Sequence, residues 1–394
     1  MKKTKAIIFF SSLFFLLMYL FSCQPGQDAK SPAGKKKTLA HKKELCFPMG
    51  DKLHVFTRWY AQIIPVNNNL YVYVFFDDKE SPRISVYDIN KKKPVKTIKL
   101  HKEGPHKIIS PGDCYIHNPD SFFISGGGGR ILYLVNARGE LEQQWRLDNK
   151  YKEYSAYANF PNRLHYNAKS NTVTLHVGKR GSEVNADFYD NMYVGIFDLD
   201  KGKFRHLIPM PFSPDGWYPG TMMPQVEHDD EYLYLSAIFT GTIWKYRIRD
   251  GKLIKKADAS SPHVPKPLKA LPYSAFRGQE EIDWLVKNAF YSGLAYDPYH
   301  DCLYRLIKHE QDLYKDESTG ELNFFNDAPH TVQILDKELN VTGECFIDHK
   351  KMAHGKGALI WPAPNGLMVL SEKYRNTEDT LYYDLYVQQE ISGN

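Results

Sequence analysis

Cysteine is scarce in this chain, with five residues among 394, and its spacing excludes more than its number. Cys23, Cys46, Cys114, Cys302 and Cys345 stand far apart. No two form a CxxC pair and none sits at a metal-ligand spacing from histidine, so neither a zinc module nor a redox dithiol is encoded. No metal and no cofactor is expected. Catalytic signatures are missing too: there is no GxSxG elbow and no HExxH helix. Charge of one sign is also lacking. Lys and Arg number 51 against 46 Asp and Glu, a formal net charge of +5. Three of those positive charges lie in Met1–Lys5, and Lys35-Lys36-Lys37 and Lys42-Lys43 hold more. A face basic enough to grip nucleic acid is therefore not expected.

What is present begins at the N-terminus. A basic start is followed by the apolar run Ala6–Phe21 and then by Leu20-Phe21-Ser22-Cys23. The run is about 16 residues, short of the roughly 20 that span a bilayer. Leucine three places before the cysteine and serine just before it make a lipobox. Residues 1–22 are read as a lipoprotein signal peptide, and Cys23 as a lipidated N-terminus anchored by several acyl chains. An ordinary signal peptide or an uncleaved anchor helix are the competing readings. Residues 23–43, rich in Pro, Gly, Ser, Ala and Lys, cannot bury a core and read as a flexible tether. Residues 44–394 are the folded domain. The other four cysteines each sit in a hydrophobic segment, as buried thiols or with Cys46 and Cys345 bridged.

Tyrosine (27) and phenylalanine (22) are abundant, which favours strands. Alternating apolar segments punctuated by Asn, Asp, Pro and Gly repeat six times. Each repeat has a strand, a short polar turn and a strongly apolar strand. The turns are at Asn67–Asn69, Asn118–Asp120, Asn167–Lys169, His228–Asp230, Asp297–Tyr299 and Pro364–Gly366. In five repeats a second tight turn leads to a fourth strand. The fold class is all-β: a six-bladed β-propeller with one short inserted helix, predicted over Gln279–Phe290. The sixth repeat lacks a fourth strand, which Glu44–Met49 is expected to supply. A pair of β-sandwiches is the alternative.

Strands alternate direction, so the longer connections share one rim, and loops on a rigid scaffold are where binding concentrates. The predicted binding face comprises Arg58, Trp59, Arg130, Arg180, Trp217, Tyr218 and His354. His117, His165 and Glu227 come from three successive inner strands and are the candidates for acid–base work at the channel mouth. Gly126–Gly129 joins two strands and opens no helix, so a hairpin is favoured over a phosphate cradle.

The segments Leu100-His101-Lys102-Glu103-Gly104-Pro105 and Tyr115–Ile124, together with the lipobox and tether, resemble a Bacteroidetes lipoprotein family of unknown function with a six-bladed TolB/NHL-like β-propeller. The resemblance implies the fold and an envelope location. Its motifs mark turns, so it implies no reaction. The expected role is a lipid-anchored cell-envelope scaffold that binds a ligand, an envelope protein or a glycan on its loop-rich face. The alternative is an envelope hydrolase or lyase, lactonase-like or polysaccharide-acting. The expected location is the outer membrane, periplasmic side.

Overall fold

A computed structural model describes residues 36–391 except 49–58, 68, 77–81, 92, 148–153, 157–163, 180–188, 213–215, 220–223, 266–267, 276–277, 317, 324–327, 348–359 and 372–379. The chain divides into two compact units, residues 1–36 with 392–394, and residues 37–391. The second is a six-bladed β-propeller.

Strand β1 (Lys36–Pro48) comes first in the chain but belongs to the last blade. Blade 1 is β2 (Trp59–Val66), β3 (Asn69–Phe76), β4 (Arg83–Asp88) and β5 (Lys93–Lys99). Blade 2 is β6 (Cys114–Asn118), β7 (Ser121–Gly126), β8 (Ile131–Asn136) and β9 (Leu141–Arg146). In blade 3, β10 (Tyr154–Ala156) and β11 (His165–Asn167) both pair with β12 (Thr172–Lys179), followed by β13 (Met192–Asp198) and β14 (Lys203–Pro209). Blade 4 is β15 (Gln225–His228), β16 (Tyr232–Ser236), β17 (Thr242–Arg247) and β18 (Leu253–Asp258). Blade 5 is β19 (Phe290–Asp297) and β20 (Cys302–Lys308), a small hairpin of β21 (Tyr314–Asp316) and β22 (Glu321–Leu322), then β23 (His330–Asp336) and β24 (Val341–Ile347). Blade 6 is β25 (Ile360–Ala363), β26 (Gly366–Leu370), β27 (Thr380–Ile391) and, outermost, β1.

The turns follow from local chemistry. A carboxylate or amide at the turn start accepts backbone N–H bonds from two to four residues on, the Asx geometry that folds a chain back on itself. Asp88 Oδ1 accepts from Asn90 and Lys91 at 3.0 and 3.2 Å, and Asp229 Oδ1 from Glu231 and Tyr232 at 2.7 Å each. Asn136 and Asp297 do the same in other blades. Blades 1 to 5 also share one irregularity, a register shift between third and fourth strands, at Val86/Tyr87, Leu134/Val135, Ile196/Phe197, Lys245/Tyr246 and Ile334/Leu335. A bulge recurring at one position is the repeat written in backbone.

Apolar side chains fill the spaces between blades. Val194 and Ile196 of blade 3 meet Val226, Leu233 and Leu235 of blade 4, all buried. From blade 1 to blade 4, hydrogen bonds also latch each blade's inner edge to the next. Gln62 clasps the backbone of Ile116, Asp113 Oδ2 accepts from the Leu164 amide at 2.6 Å, and Asn167 Nδ2 donates to the Asp230 carbonyl at 2.9 Å.

Ring closure by the N-terminal strand is as expected, but the strand begins at Lys36, inside the segment read as tether up to residue 43. An outermost strand is held by backbone pairing, so its solvent-facing positions take lysine freely, and Leu39, Leu45 and Phe47 supply the buried side. Gly343 makes this possible: a Cβ there would collide with the Lys37 carbonyl. Cys345 Sγ lies 3.1 Å from the Leu39 carbonyl oxygen, and Cys46, Cys114, Cys302 and Cys345 are all free thiols.

The inserted helix α1 (Gln279–Lys287) packs on the ring through Trp284, Leu285 and Val286. The helix stops three residues short of the predicted Phe290, which opens β19 instead, and its apolar Ile282 is 47% exposed. Trp284 takes the buried position because its indole N–H reaches the Lys269 carbonyl at 2.7 Å. The buried Lys308 ammonium donates to the carbonyls of Val286, Asn288 and His309 at 2.9, 3.1 and 2.7 Å. It thereby satisfies acceptors that the helix end leaves open. No described helix is long and apolar enough to cross a membrane.

Candidate functional site

The first strands of the blades meet around the axis in ring order. They enclose a cavity of about 650 Å³ to which all six contribute. Gln62 comes from blade 1, Tyr115 and His117 from blade 2, His165 and Tyr166 from blade 3, Glu227 and His228 from blade 4, Tyr296 from blade 5 and Trp361 from blade 6. The lining extends to Ala168, Lys169, Asp229, Asp230, Glu231, Pro298, Tyr299 and Lys337, which lie in or beside short turns. Strand alternation puts all those turns on one rim, so the cavity opens there, opposite the rim of long connections.

Two of the three acid–base candidates come together. His165 Nε2 lies 3.9 Å from Glu227 Oε2, and both residues are buried. The His165 ring meets His228 edge-on with centroids 4.4 Å apart, and Tyr115 lies 5.8 Å away. Glu227 also accepts a long bond, 3.4 Å, from the Tyr296 amide. His117 instead packs edge-on against Tyr166 at 4.7 Å, and Tyr166 stacks on Phe123 at 4.4 Å.

Burial sets the protonation states. It lowers the imidazole pKa of His117, and that of His228 despite a bond to the Asp229 carbonyl, so both rings are neutral near pH 7. Burial, reinforced by Glu227 and Asp230, pushes the Tyr115 phenol up to about 12. At the mouth, burial works against the Lys337 ammonium. Its bond to Asp301 at 2.9 Å and the charge of Asp229 at 3.4 Å outweigh that and hold it above the usual lysine range. The wall is therefore aromatic and imidazole-rich, with Glu227 set deep among these rings. Among the described residues, no three His, Cys, Asp or Glu side chains gather as a metal set.

Two members of the predicted binding face are core residues. Trp217 is 1% exposed and Tyr218 6% exposed, so neither is a surface contact. The Trp217 backbone pairs with Leu271 through two 2.8 Å hydrogen bonds. The Tyr218 hydroxyl donates to the Leu268 carbonyl at 3.1 Å, and its ring stacks on Phe239 at 4.5 Å. Both pin the stretch Leu268–Leu271, which precedes helix α1, to the ring. Arg130 is exposed in the β7–β8 connection. Arg58, Arg180 and His354, with the side chain of Trp59, lie outside the described residues. In the Gly126–Gly129 turn, the amides of Gly129 and Arg130 are spent on the Gly126 carbonyl, so no phosphate cradle forms. Residues that sequence reading missed are Tyr296, Lys337 and the turn carboxylate Asp229. Their signal was turn chemistry, which reads as structure.

No curated protein matches the sequence. Among solved structures, a DUF4221 family member from Bacteroides vulgatus ATCC 8482 superimposes with a TM-score of 0.68 at 18% identity, over 91% of this chain and 99% of that one. A Bacteroides fragilis NCTC 9343 protein for which export is predicted has a TM-score of 0.50 at 11% identity, over 90% and 96% of the two chains. At these identities the likeness is one of fold. The sequence itself matches Domain of unknown function (DUF4221) over residues 38–345, and the chain belongs to that family.

Proposed function

We propose that this chain is a lipid-anchored propeller of the outer membrane, facing the periplasm, that binds a neutral saccharide in its channel. The observation that carries the binding role is the six-walled cavity of about 650 Å³, within the range of small-molecule sites. Tyr115, Tyr296, Tyr299 and Trp361 offer faces on which sugar rings stack, and Glu227 offers a carboxylate to hydroxyl groups. Glu227, Asp229, Asp230 and Glu231 outnumber Lys169 and Lys337 in the lining, which disfavours anionic ligands. The lipobox ending at Cys23 supports the anchor. The export predicted for the Bacteroides fragilis relative points the same way.

Saturation-transfer NMR with a panel of neutral oligosaccharides tests this reading. Binding should weaken at least tenfold in Glu227→Gln and be unchanged in Arg130→Glu. Binding that survives Glu227→Gln but is lost in Arg130→Glu would move the site to the opposite rim. The closeness of His165 and Glu227 supports a second reading, a hydrolase or lyase acting on the same ligand. Product formation that disappears in His165→Asn would select it.

A further inference from the structure

Strand β1 shows where the chain enters the ring. His41 Nε2 lies 3.0 Å from Asp384 Oδ1 and its ring 5.5 Å from Tyr386, whereas Phe47 packs 5.7 Å from Tyr383. Contacts in β27 thus fall in number as β1 rises, so the two strands are antiparallel. β26 starts at the short turn after Ala363 and runs away from that rim, and β27 returns toward it. β1 must therefore start on the short-turn rim. A second contact agrees: Lys37 lies against Gly343, near the start of β24, which itself follows the short turn at Lys337. The cavity opens on this same rim.

From Cys23 to Lys36 is 13 residue steps, at most about 45 Å when fully extended. A blade strand of seven residues is roughly 23 Å tall. If the far rim lay on the membrane, the chain would have to run back along the whole outer strand of blade 6, using about half of its reach.

Building on the lipid-anchor reading, we infer that the short-turn rim, with the cavity mouth, is the face turned toward the lipid headgroups of the membrane that holds Cys23. Ligands then reach the cavity from the bilayer side, and the long connections face away from it.

The test uses the full lipidated chain, purified from membranes and reconstituted in phosphatidylethanolamine–phosphatidylglycerol vesicles containing a headgroup spin-label quencher. Single fluorescent labels go on Arg138→Cys and Ala168→Cys of the short-turn rim, or on Glu103→Cys and Arg130→Cys of the other rim; all four native residues are exposed. Each is made in a Cys46→Ser/Cys345→Ser background. Quenching at positions 138 and 168 should exceed that at 103 and 130 at least threefold. Equal quenching on both rims, or stronger quenching at 103 and 130, overturns the orientation and leaves the anchor standing. An intact-mass measurement of the N-terminal peptide separates the two ideas: Cys23 without acyl chains overturns the anchor and the orientation with it.

Discussion

Gln62 grips Ile116 of the next blade by both backbone groups: its Nε2 donates to the carbonyl and its Oε1 accepts from the amide, each at 2.8 Å. One side chain thus stands in for a missing strand pair between the inner strands of blades 1 and 2, directly beside the cavity. Gln62→Ala should cost about 1–3 kcal/mol, because two buried backbone groups lose their partners. Urea unfolding monitored by fluorescence checks this, and an unchanged midpoint would show the clasp to be idle.

Arg305 makes the same point at the seam of blades 4 and 5. It is fully buried, its guanidinium lies 3.4 Å over the Tyr291 ring, and it donates to the carbonyls of Gly241, Ala259, Ala237 and Thr240. Burial lowers its pKa to about 9. Arg305→Lys should still destabilise by about 3 kcal/mol or more, because an ammonium cannot fork to both pairs of carbonyls. A thermal melt of the lysine variant matching the native one would contradict that.

Ring closure predicts all-or-none behaviour. A chain starting at Lys36 should unfold in one transition at the native midpoint. A chain starting after Pro48 lacks the outer strand of blade 6 and should lose stability throughout the ring. Gly343→Ala should produce a milder version of the same loss. Calorimetry of the three chains checks this, and a stable ring without β1 would refute the closure.

Acid should weaken the fold through His176. Its ring is fully buried, and burial lowers its pKa from 6.5 to about 3 against a bond from the ring to the Pro224 carbonyl. Below pH 6.5 the unfolded chain takes up a proton that the folded chain refuses, so stability falls as pH falls toward the folded value. At about 1.36 kcal/mol per pH unit, the loss from pH 6.5 to 4 is roughly 3 kcal/mol. His309, lowered to about 4 by burial and then by His263 and Lys308, adds a smaller loss of the same sign. Equilibrium unfolding from pH 4 to 8 should show a flatter profile for His176→Gln, and parallel profiles would rule this histidine out.

Much of the fold was legible because its determinants are local. Asx turns at Asp88, Asn136 and Asp297 announce themselves within four residues, and alternating apolar residues mark strands without knowledge of their partners. The N-terminal half of β1 was not legible: backbone pairing to β27 holds it, and Lys36, Lys37, Lys42 and Lys43 read as solvent. Helix α1 was legible except that it ends at Lys287 and that Trp284 is buried where Ile282 is exposed, because the Trp284 indole depends on the carbonyl of Lys269. The site was least legible. His165 and Glu227 meet only because two blades 62 positions apart converge on the axis. Trp217 and Tyr218 looked like loop aromatics and are anchors.

The central claim is that the channel, entered from the short-turn rim, is the binding site. The most direct measurement is a crystal structure with the tightest-binding saccharide from the NMR panel. The account predicts ligand density between Tyr115, His165, Glu227 and Tyr296, absent from crystals of Glu227→Gln grown at the same ligand concentration. Density seated instead on the long-connection rim near Arg130, with the channel empty, would contradict it.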